Sequence, residues 1–222
     1  MAQMITVTAA DGFAFSAYHA EPVGPRKGGV IVIQEIFGID QYVKADVERW
    51  AKAGYEAIAP SLYDRRETGF IADHSPEGMT AGITHARATP LPQALGDIGS
   101  CRDLMAGKGK VCAVGYCYGG SLAWLAAAQV EGLAATSSYY GSLVLANAAE
   151  TPKCPVIIHL GRDDAGIPAD DVQAAIAAHH PKVPVYIYEG AGHGFNNESP
   201  ERHKAEAAEL ARSRTLDLFA AA

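Results

Sequence analysis

The chain has 222 residues, of which 49% are hydrophobic and 19% charged, and this balance suits one compact domain rather than a disordered polymer. It carries 18 Lys and Arg against 25 Asp and Glu, a net charge of −7. Because no basic cluster occurs, we expect neither nucleic acid nor a membrane surface as a partner. The first residues lack the pattern of a signal peptide, and no apolar stretch approaches the ~20 residues that span a bilayer. We therefore expect a soluble, cytoplasmic protein.

The N-terminal third predicts strands followed by a helix. Residues 5–8 and 13–18 flank an Asp11-Gly12 turn, a pattern typical of a β-hairpin. The apolar run 28–33 is bounded by glycines and predicts a strand buried on both faces. A helix is predicted from about Asp40 to Gly54, and a strand at 55–59 follows it.

The rest of the chain alternates in the same way. Apolar positions from Leu91 to Met105 predict a helix that ends at Gly107, and 111–114 predicts a second buried strand. The segment 119–129 is apolar almost all round, as in a covered helix. Three further strands are predicted at 133–137, 156–159 and 185–188. Two more helices are predicted, one beginning near Pro168 and one at 200–219.

This alternation predicts an α/β fold with a mostly parallel sheet, helices on both faces and an antiparallel N-terminal hairpin at one edge. We expect a single domain over 1–222. The segment 61–90 shows no clear element, and we expect it to form a lid or loop over the site rather than a second domain.

Four cysteines are too few for a disulfide framework, and none forms a C-x-x-C pair. Three of them lie in apolar or helical surroundings, where cysteine acts as a small hydrophobic residue. Cys117 differs because it stands in the sequence G-Y-C-Y-G-G at 115–120, directly after a predicted strand. This is the pattern of a nucleophile elbow with cysteine in the serine position. The glycines leave room in the sharp turn, where larger side chains would collide. The pattern also places the sulfur at a helix N-terminus, which favours a negative charge.

A thiol at this position needs a further activating group. An ordinary cysteine, with a pKa near ~8.5, is only roughly 3% ionised at neutral pH, and a helix terminus contributes at most ~2 kcal/mol. His193, set among glycines after the last predicted strand, can supply the base. Asp164 follows the strand at 156–159, and the neighbouring Asp163 competes for the same role. The order Cys117, Asp164, His193 is that of the nucleophile, acid and histidine in α/β-hydrolases.

The motifs G-Y-C-Y-G-G at 115–120 and Q-E-I-F-G at 34–38 resemble those of the dienelactone hydrolase (carboxymethylenebutenolidase) family. The resemblance extends through G-R-D-D at 161–164, H-G-F at 193–195 and R-T-L-D at 214–217. It implies an α/β-hydrolase fold and a cysteine, Cys117, that attacks an ester or lactone carbonyl. By the same resemblance, His193 is the base and Asp164 orients it.

The resemblance also implies roles for residues around this triad. The backbone N–H groups of Ile36 and Tyr118 match the family's oxyanion hole, and Glu35 matches a glutamate that helps to activate the thiol. Family members bind the substrate carboxylate with arginines, one of them four residues after the histidine, where this chain has Asn197. We therefore expect a weaker preference for acidic lactones.

Candidates for substrate contact are Asn197, Arg87 and Tyr139, although core packing is the alternative for Tyr139. Arg65 and Arg66 are further candidates for the missing arginine. Glu35 could instead be a surface carboxylate at a strand end.

We expect no metal and no cofactor, since the sequence has no H-E-x-x-H or other metal-ligand cluster. The expected partner is a small ester or lactone, and the protein is expected to be a monomer or a small homo-oligomer. Two alternatives stay open. One is a ligand-binding or redox-sensing protein on the same fold, and the other is a related carboxylesterase or thioesterase.

Overall fold

A computed structural model describes residues 2–199 and 201–222 of the chain. One sheet of eight strands lies at its centre. The strands are β1 Ala2–Thr8, β2 Ala14–Ala20, β3 Gly28–Ile33, β4 Tyr55–Pro60, β5 Val111–Tyr116, β6 Thr136–Tyr139, β7 Val156–Gly161 and β8 Val185–Tyr188. Their order in the sheet is β1-β2-β4-β3-β5-β6-β7-β8.

The pairing of the strands confirms the predicted architecture. β1 pairs with β2, and β2 with β4, in antiparallel register, whereas β4, β3 and β5 to β8 are parallel to one another. All six residues of β3, β4, β5 and β7 are buried, as expected for strands that are covered on both faces. The carboxyl ends of β3, β5, β7 and β8 therefore lie along one edge of the sheet.

In the part of the chain that the structure describes, six α-helices accompany the sheet. They are α1 Gln41–Lys52, α2 Pro76–Ala88, α3 Leu91–Ala106, α4 Tyr118–Gln129, α5 Ala169–His179 and α6 Ala205–Ala221. Asp40 caps α1 by accepting hydrogen bonds from the N–H groups of Tyr42 and Val43, each at 3.0 Å. In α4, every residue from Tyr118 to Ala128 is buried, which agrees with its apolar sequence. Within the described residues, no helix is both long and apolar enough to cross a membrane.

The segment 61–90, which the pattern left without an element, contains the helix α2. Ser75 begins it, since its hydroxyl accepts a hydrogen bond from the N–H of Gly78 at 3.0 Å, and Pro76 occupies the first turn. The helix buries only Gly82. It therefore shows no buried apolar stripe, and two glycines further weaken its helical pattern.

Two predicted boundaries are wrong. The strand predicted at 133–137 begins only at Thr136. Leu133 is buried although it lies in the loop before the strand, so its apolar side chain was consistent with either structure. The helix predicted at 200–219 begins at Ala205, because the preceding chain bonds elsewhere: the N–H of Lys204 donates to the carbonyl of Phe195 at 3.0 Å. The predicted start, Pro200, lies outside the described residues.

Candidate active site

Cys117 occupies a sharp turn between β5 and α4. Its φ of 55° lies in the left-handed region that residues with a side chain rarely adopt. The glycines around it permit this turn. A Cβ at Gly115 would collide with the carbonyl oxygen of Gly119, one at Gly119 with that of Ile33, and one at Gly120 with that of Tyr139. The elbow is therefore packed backbone against backbone, with the half-buried thiol at its apex.

A cavity of about 760 Å³ lies over this turn. Six of the predicted site residues line it: Glu35, Ile36, Arg87, Cys117, Tyr118 and His193. Arg87 belongs to α2, and the other five come from the segments that follow β3, β5 and β8, which end at the same edge of the sheet. This volume is within the range of pockets that bind small molecules.

His193 and Asp164 form a direct pair. His193 Nδ1 lies 2.7 Å from Asp164 Oδ2, and the Asp164 side chain is 2% exposed. The second oxygen of Asp164 accepts a hydrogen bond from the N–H of Gly166 at 2.9 Å. Asp163 is exposed. Of the two adjacent acids, Asp164 is the one that contacts the imidazole.

The surroundings of His193 favour its charged form. Burial by itself lowers the pKa of the imidazole, but the hydrogen bond with Asp164 and the interaction with Cys117 outweigh it and raise the pKa to about 10. The same two neighbours would stabilise an imidazolium next to a thiolate. The site can therefore hold a proton on His193 while the sulfur is charged.

Two residues that line the cavity with Cys117 have backbone N–H groups without an ordinary helix or strand partner in the described chain. Tyr118 is the first residue of α4, so its N–H has no carbonyl one turn earlier in the helix. The N–H of Ile36 donates to no backbone carbonyl in the part of the chain that the structure describes. Both residues line the cavity beside Cys117. Such N–H groups can stabilise a negative oxygen on a bound substrate.

Glu35 is buried, with 6% of its surface exposed, and it is not a surface carboxylate. Burial raises the pKa of Glu35, and the charge of Asp40 adds to this effect, while His193 and Asn197 partly oppose it. Asn197 Nδ2 donates to Glu35 Oε2 at 3.1 Å. Asn197 Oδ1 in turn accepts the N–H of Ser199 at 3.0 Å.

The three candidates for substrate contact lie in different places. Arg87 lines the cavity. Asn197 does not; it is buried against Glu35. Tyr139 is also outside the cavity: it is 1% exposed, and its hydroxyl lies 2.8 Å from Thr215 Oγ1. Both side chains make buried hydrogen bonds, and neither lines the cavity that contains Cys117.

The arginines also differ from expectation. Arg65 forms ion pairs with Asp11 and Asp97 at 2.7 and 2.8 Å, so it stabilises the fold and does not face the cavity. Arg66 does not line the cavity either. Arg202 does, and its side chain lies over Gly194, next to His193. No motif marks Arg202, which is why the sequence did not indicate it.

Apolar side chains that the sequence analysis did not assign to the site complete the cavity wall. Met79, Ile83 and Ala86 come from α2, Leu91 begins α3, and Leu143 follows β6. In a helix, the spacing of Met79, Ile83 and Ala86 places them on one face. The sequence analysis predicted no helix here and so did not group these residues.

One cluster of potential metal ligands occurs among the described residues, formed by His19, Glu21 and Glu56. Glu56 already binds two cations, Arg26 at 2.8 Å and Lys108 at 2.9 Å. These side chains balance its charge, and none of the cluster lines the cavity.

Comparison with known proteins agrees with this architecture. The model of the dienelactone hydrolase family matches residues 15–222. Carboxymethylenebutenolidase from Pseudomonas putida is 31% identical over 225 residues, which cover 97% of this chain and 95% of that protein.

Two solved structures share the fold. A Klebsiella pneumoniae protein assigned as a dienelactone hydrolase is 28% identical, with a TM-score of 0.86 over 99% of this chain and 98% of its own. An Agrobacterium tumefaciens protein assigned as an α/β hydrolase is 13% identical, with a TM-score of 0.69 over 97% of this chain and 96% of its own. The expected α/β-hydrolase fold is thereby confirmed. By the extent of the family match and the identity to its relatives, the chain belongs to the dienelactone hydrolase family and is a hydrolase of this fold.

Proposed function

We propose that the protein hydrolyses a small ester or lactone through a thioester formed on Cys117. One observation carries the proposal. A cysteine on a strained turn shares a cavity with His193, whose Nδ1 is held by Asp164 at 2.7 Å. A histidine that is oriented in this way, next to a nucleophile, is the arrangement that covalent acyl transfer requires.

The first half of the reaction forms the acyl-enzyme. The sulfur of Cys117, having given its proton to His193, attacks the carbonyl carbon, and a C–S bond forms. The carbonyl oxygen becomes negative and accepts hydrogen bonds from the N–H groups of Ile36 and Tyr118. The C–O bond to the alcohol then breaks, and the alkoxide takes the proton from the imidazolium of His193. For a lactone, this alcohol stays attached to the acyl group.

The second half releases the acid. His193 takes a proton from water, and the resulting hydroxide attacks the thioester carbon. The C–S bond breaks, and the sulfur leaves as a thiolate that His193 reprotonates. Asp164 keeps the imidazole in one orientation and stabilises its charged form throughout.

Glu35 has a separate role in this proposal, the control of Cys117 ionisation. A buried carboxylate disfavours a thiolate beside it, and this protects the resting thiol from oxidation. Asn197 holds Glu35 in position through the 3.1 Å hydrogen bond. The pH dependence of iodoacetamide alkylation of Cys117 should therefore change in Glu35→Gln, and an unchanged profile would remove this role.

We also propose that 1–222 acts as one domain, with α2 as the cover of the site. Gly82 supports this, because a Cβ at that position would collide with the carbonyl oxygen of Ile36. The backbone of α2 therefore lies directly on the loop that carries one of the two oxyanion N–H groups.

Steady-state kinetics on a panel of neutral esters and lactones test the function. Cys117→Ala should abolish turnover, and His193→Ala should reduce it by at least ~100-fold, the usual lower bound for general base catalysis. Cys154→Ala, at a half-buried cysteine outside the cavity, is the matched control and should keep the wild-type rate. Saturable ligand binding without turnover would instead favour a binding or sensing protein.

A further inference from the structure

The helix α2 turns a half-buried apolar face towards the cavity. It buries only Gly82, while Met79, Ile83 and Ala86 all line the cavity. Their spacing of four and three residues places them on one side of the helix. An apolar stripe of this kind normally packs against a core; here it faces the space above Cys117.

Further apolar side chains line the same cavity. They are Phe37, Leu91 and Leu143, and Leu91 is 37% exposed. No Asp or Glu other than the buried Glu35 lines this cavity. Met79, Ile83 and Leu143 are partly exposed, and a ligand that removes their remaining surface from water would gain binding free energy.

The size of the cavity exceeds what a small lactone needs. At ~30 Å³ for each water molecule, 760 Å³ corresponds to about 25 waters. A lactone of about ten non-hydrogen atoms fills only part of such a volume.

The position of the apolar wall relative to the reacting atoms is fixed. Gly82 packs against the carbonyl of Ile36, so Met79 and Ile83 stand at a set distance from the neighbouring oxyanion N–H. An apolar group that binds to α2 would therefore hold an ester carbonyl at Cys117.

From these observations we propose that the substrate is a neutral ester with an extended apolar group, bound between α2 and the side chains of Phe37, Leu91 and Leu143. Ile83 and Met79 determine this specificity. The proposal rests on the proposed function for the chemical step, but binding of the apolar group does not require that step. Arg87 and Arg202 lie on the same cavity, so an acidic chain end is the competing ligand that the experiment must separate.

The experiment compares esters that share one parent, methyl acetate. Methyl esters from acetate to hexanoate lengthen the acyl side, and acetates from methyl to hexyl lengthen the alcohol side. Each buried methylene can raise kcat/KM by up to about fourfold, and we expect a total rise of at least ~10-fold in one series. The series that rises identifies the side of the ester that α2 binds. Flat values in both series would overturn the proposal.

A matched pair of esters tests the charge. Monomethyl adipate has the same chain as methyl hexanoate with a carboxylate at its end. Methyl hexanoate should be the better substrate. A higher kcat/KM for monomethyl adipate would show that the arginines select an acid, and would contradict the proposal.

Variants on α2 locate the subsite. In the series that rises, Ile83→Trp fills the space beside α2 and should lower the ratio of kcat/KM between the longest and the shortest ester by at least ~10-fold. Thr84→Trp places the same side chain at the adjacent exposed position and should keep the ratio. If both variants keep it, the apolar group binds elsewhere and the proposal fails.

Direct binding separates this proposal from the proposed function. Calorimetry with 1-hexanol and ethanol on Cys117→Ala needs no turnover. Tighter binding of hexanol, lost when Ile83→Trp is added, would support the apolar subsite even if no ester were hydrolysed. Chain-length-independent hydrolysis by the wild type, with no hexanol binding, would remove the subsite and leave the proposed function intact.

Discussion

His193 Nδ1 and Asp164 Oδ2 lie 2.7 Å apart although 29 residues separate them in the chain. β7 and β8 pair in parallel, with Gly161 opposite Tyr188, and so the two loops that follow these strands meet at one edge of the sheet. The contact turns His193 so that its other ring nitrogen is available to Cys117, which lines the same cavity.

Asp164→Asn should lower kcat/KM by about 10²- to 10⁴-fold, because an amide neither stabilises the imidazolium nor fixes its tautomer. Asp163→Asn, at the exposed neighbour, is the control and should retain the wild-type value. Ester hydrolysis by the two purified variants measures both. Equal losses would show that Asp164 has no special role.

The same pair makes stability depend on pH. The pKa of His193 is raised from 6.5 to about 10 in the folded protein, so the charged pair stabilises the fold fully below pH ~6.5. This contribution is lost as the pH rises towards about 10. The difference in free energy of unfolding between wild type and Asp164→Asn, from urea denaturation, should be largest at pH 6 and smallest at pH 10. A difference that does not vary with pH would contradict this account of the pair.

Gly82→Ala should impair catalysis while leaving the fold intact. Its methyl group would collide with the carbonyl oxygen of Ile36, and the shift that relieves this collision should displace the N–H of Ile36, which we propose as an oxyanion donor. A displacement of about 1 Å costs roughly 100-fold in rate.

Gly96→Ala is the matched helical control for this change, since a Cβ at Gly96 meets no atom within 4 Å. It should keep full activity and gain about 0.4–1 kcal/mol of stability. If the two variants have equal kcat/KM, close packing of α2 on Ile36 is unimportant.

Acid should destabilise the protein through His159. Burial, with a smaller effect of Arg214, lowers the pKa of His159 to about 3, and its ring nitrogens contact Tyr188 and Thr215 at 2.9 and 3.2 Å. Between pH 6.5 and 3 the unfolded chain binds this proton and the folded chain does not. Stability therefore falls as the pH falls, by up to ~1.4 kcal/mol per pH unit.

His159→Gln should be less stable at pH 7, because it loses these buried hydrogen bonds. Its free energy of unfolding should nevertheless fall less steeply than that of the wild type between pH 6.5 and 4. Parallel stability curves for the two proteins would show that His159 does not titrate as described.

Much of the fold could be predicted from the sequence because its strands are buried on both faces. The sequences of β3 and β5 are apolar throughout, and glycines flank the tight turn at Cys117 that follows β5. The same regularity places the ends of β5, β7 and β8 at one edge, so the positions of Cys117, Asp164 and His193 follow from strand order. The family resemblance is confirmed by the comparisons.

The parts that could not be predicted depend on contacts between distant segments. The helical pattern of α2 is weak, because its apolar stripe is short and two glycines interrupt the segment. The role expected for Asn197 was substrate contact, whereas its amide binds Glu35, 162 residues away. Arg202 reaches the site through its position over Gly194, and no local pattern encodes that approach.

The identity of the atom that carries the acyl group tests the account most directly. In a single-turnover reaction with a neutral ester, acid quenching followed by digestion and mass spectrometry should find the acyl mass on the peptide that contains Cys117. The adduct should be absent in Cys117→Ala and should accumulate in His193→Ala if deacylation is slowed more than acylation. An undiminished adduct in Cys117→Ala, or an acyl mass on any other peptide, would contradict the mechanism.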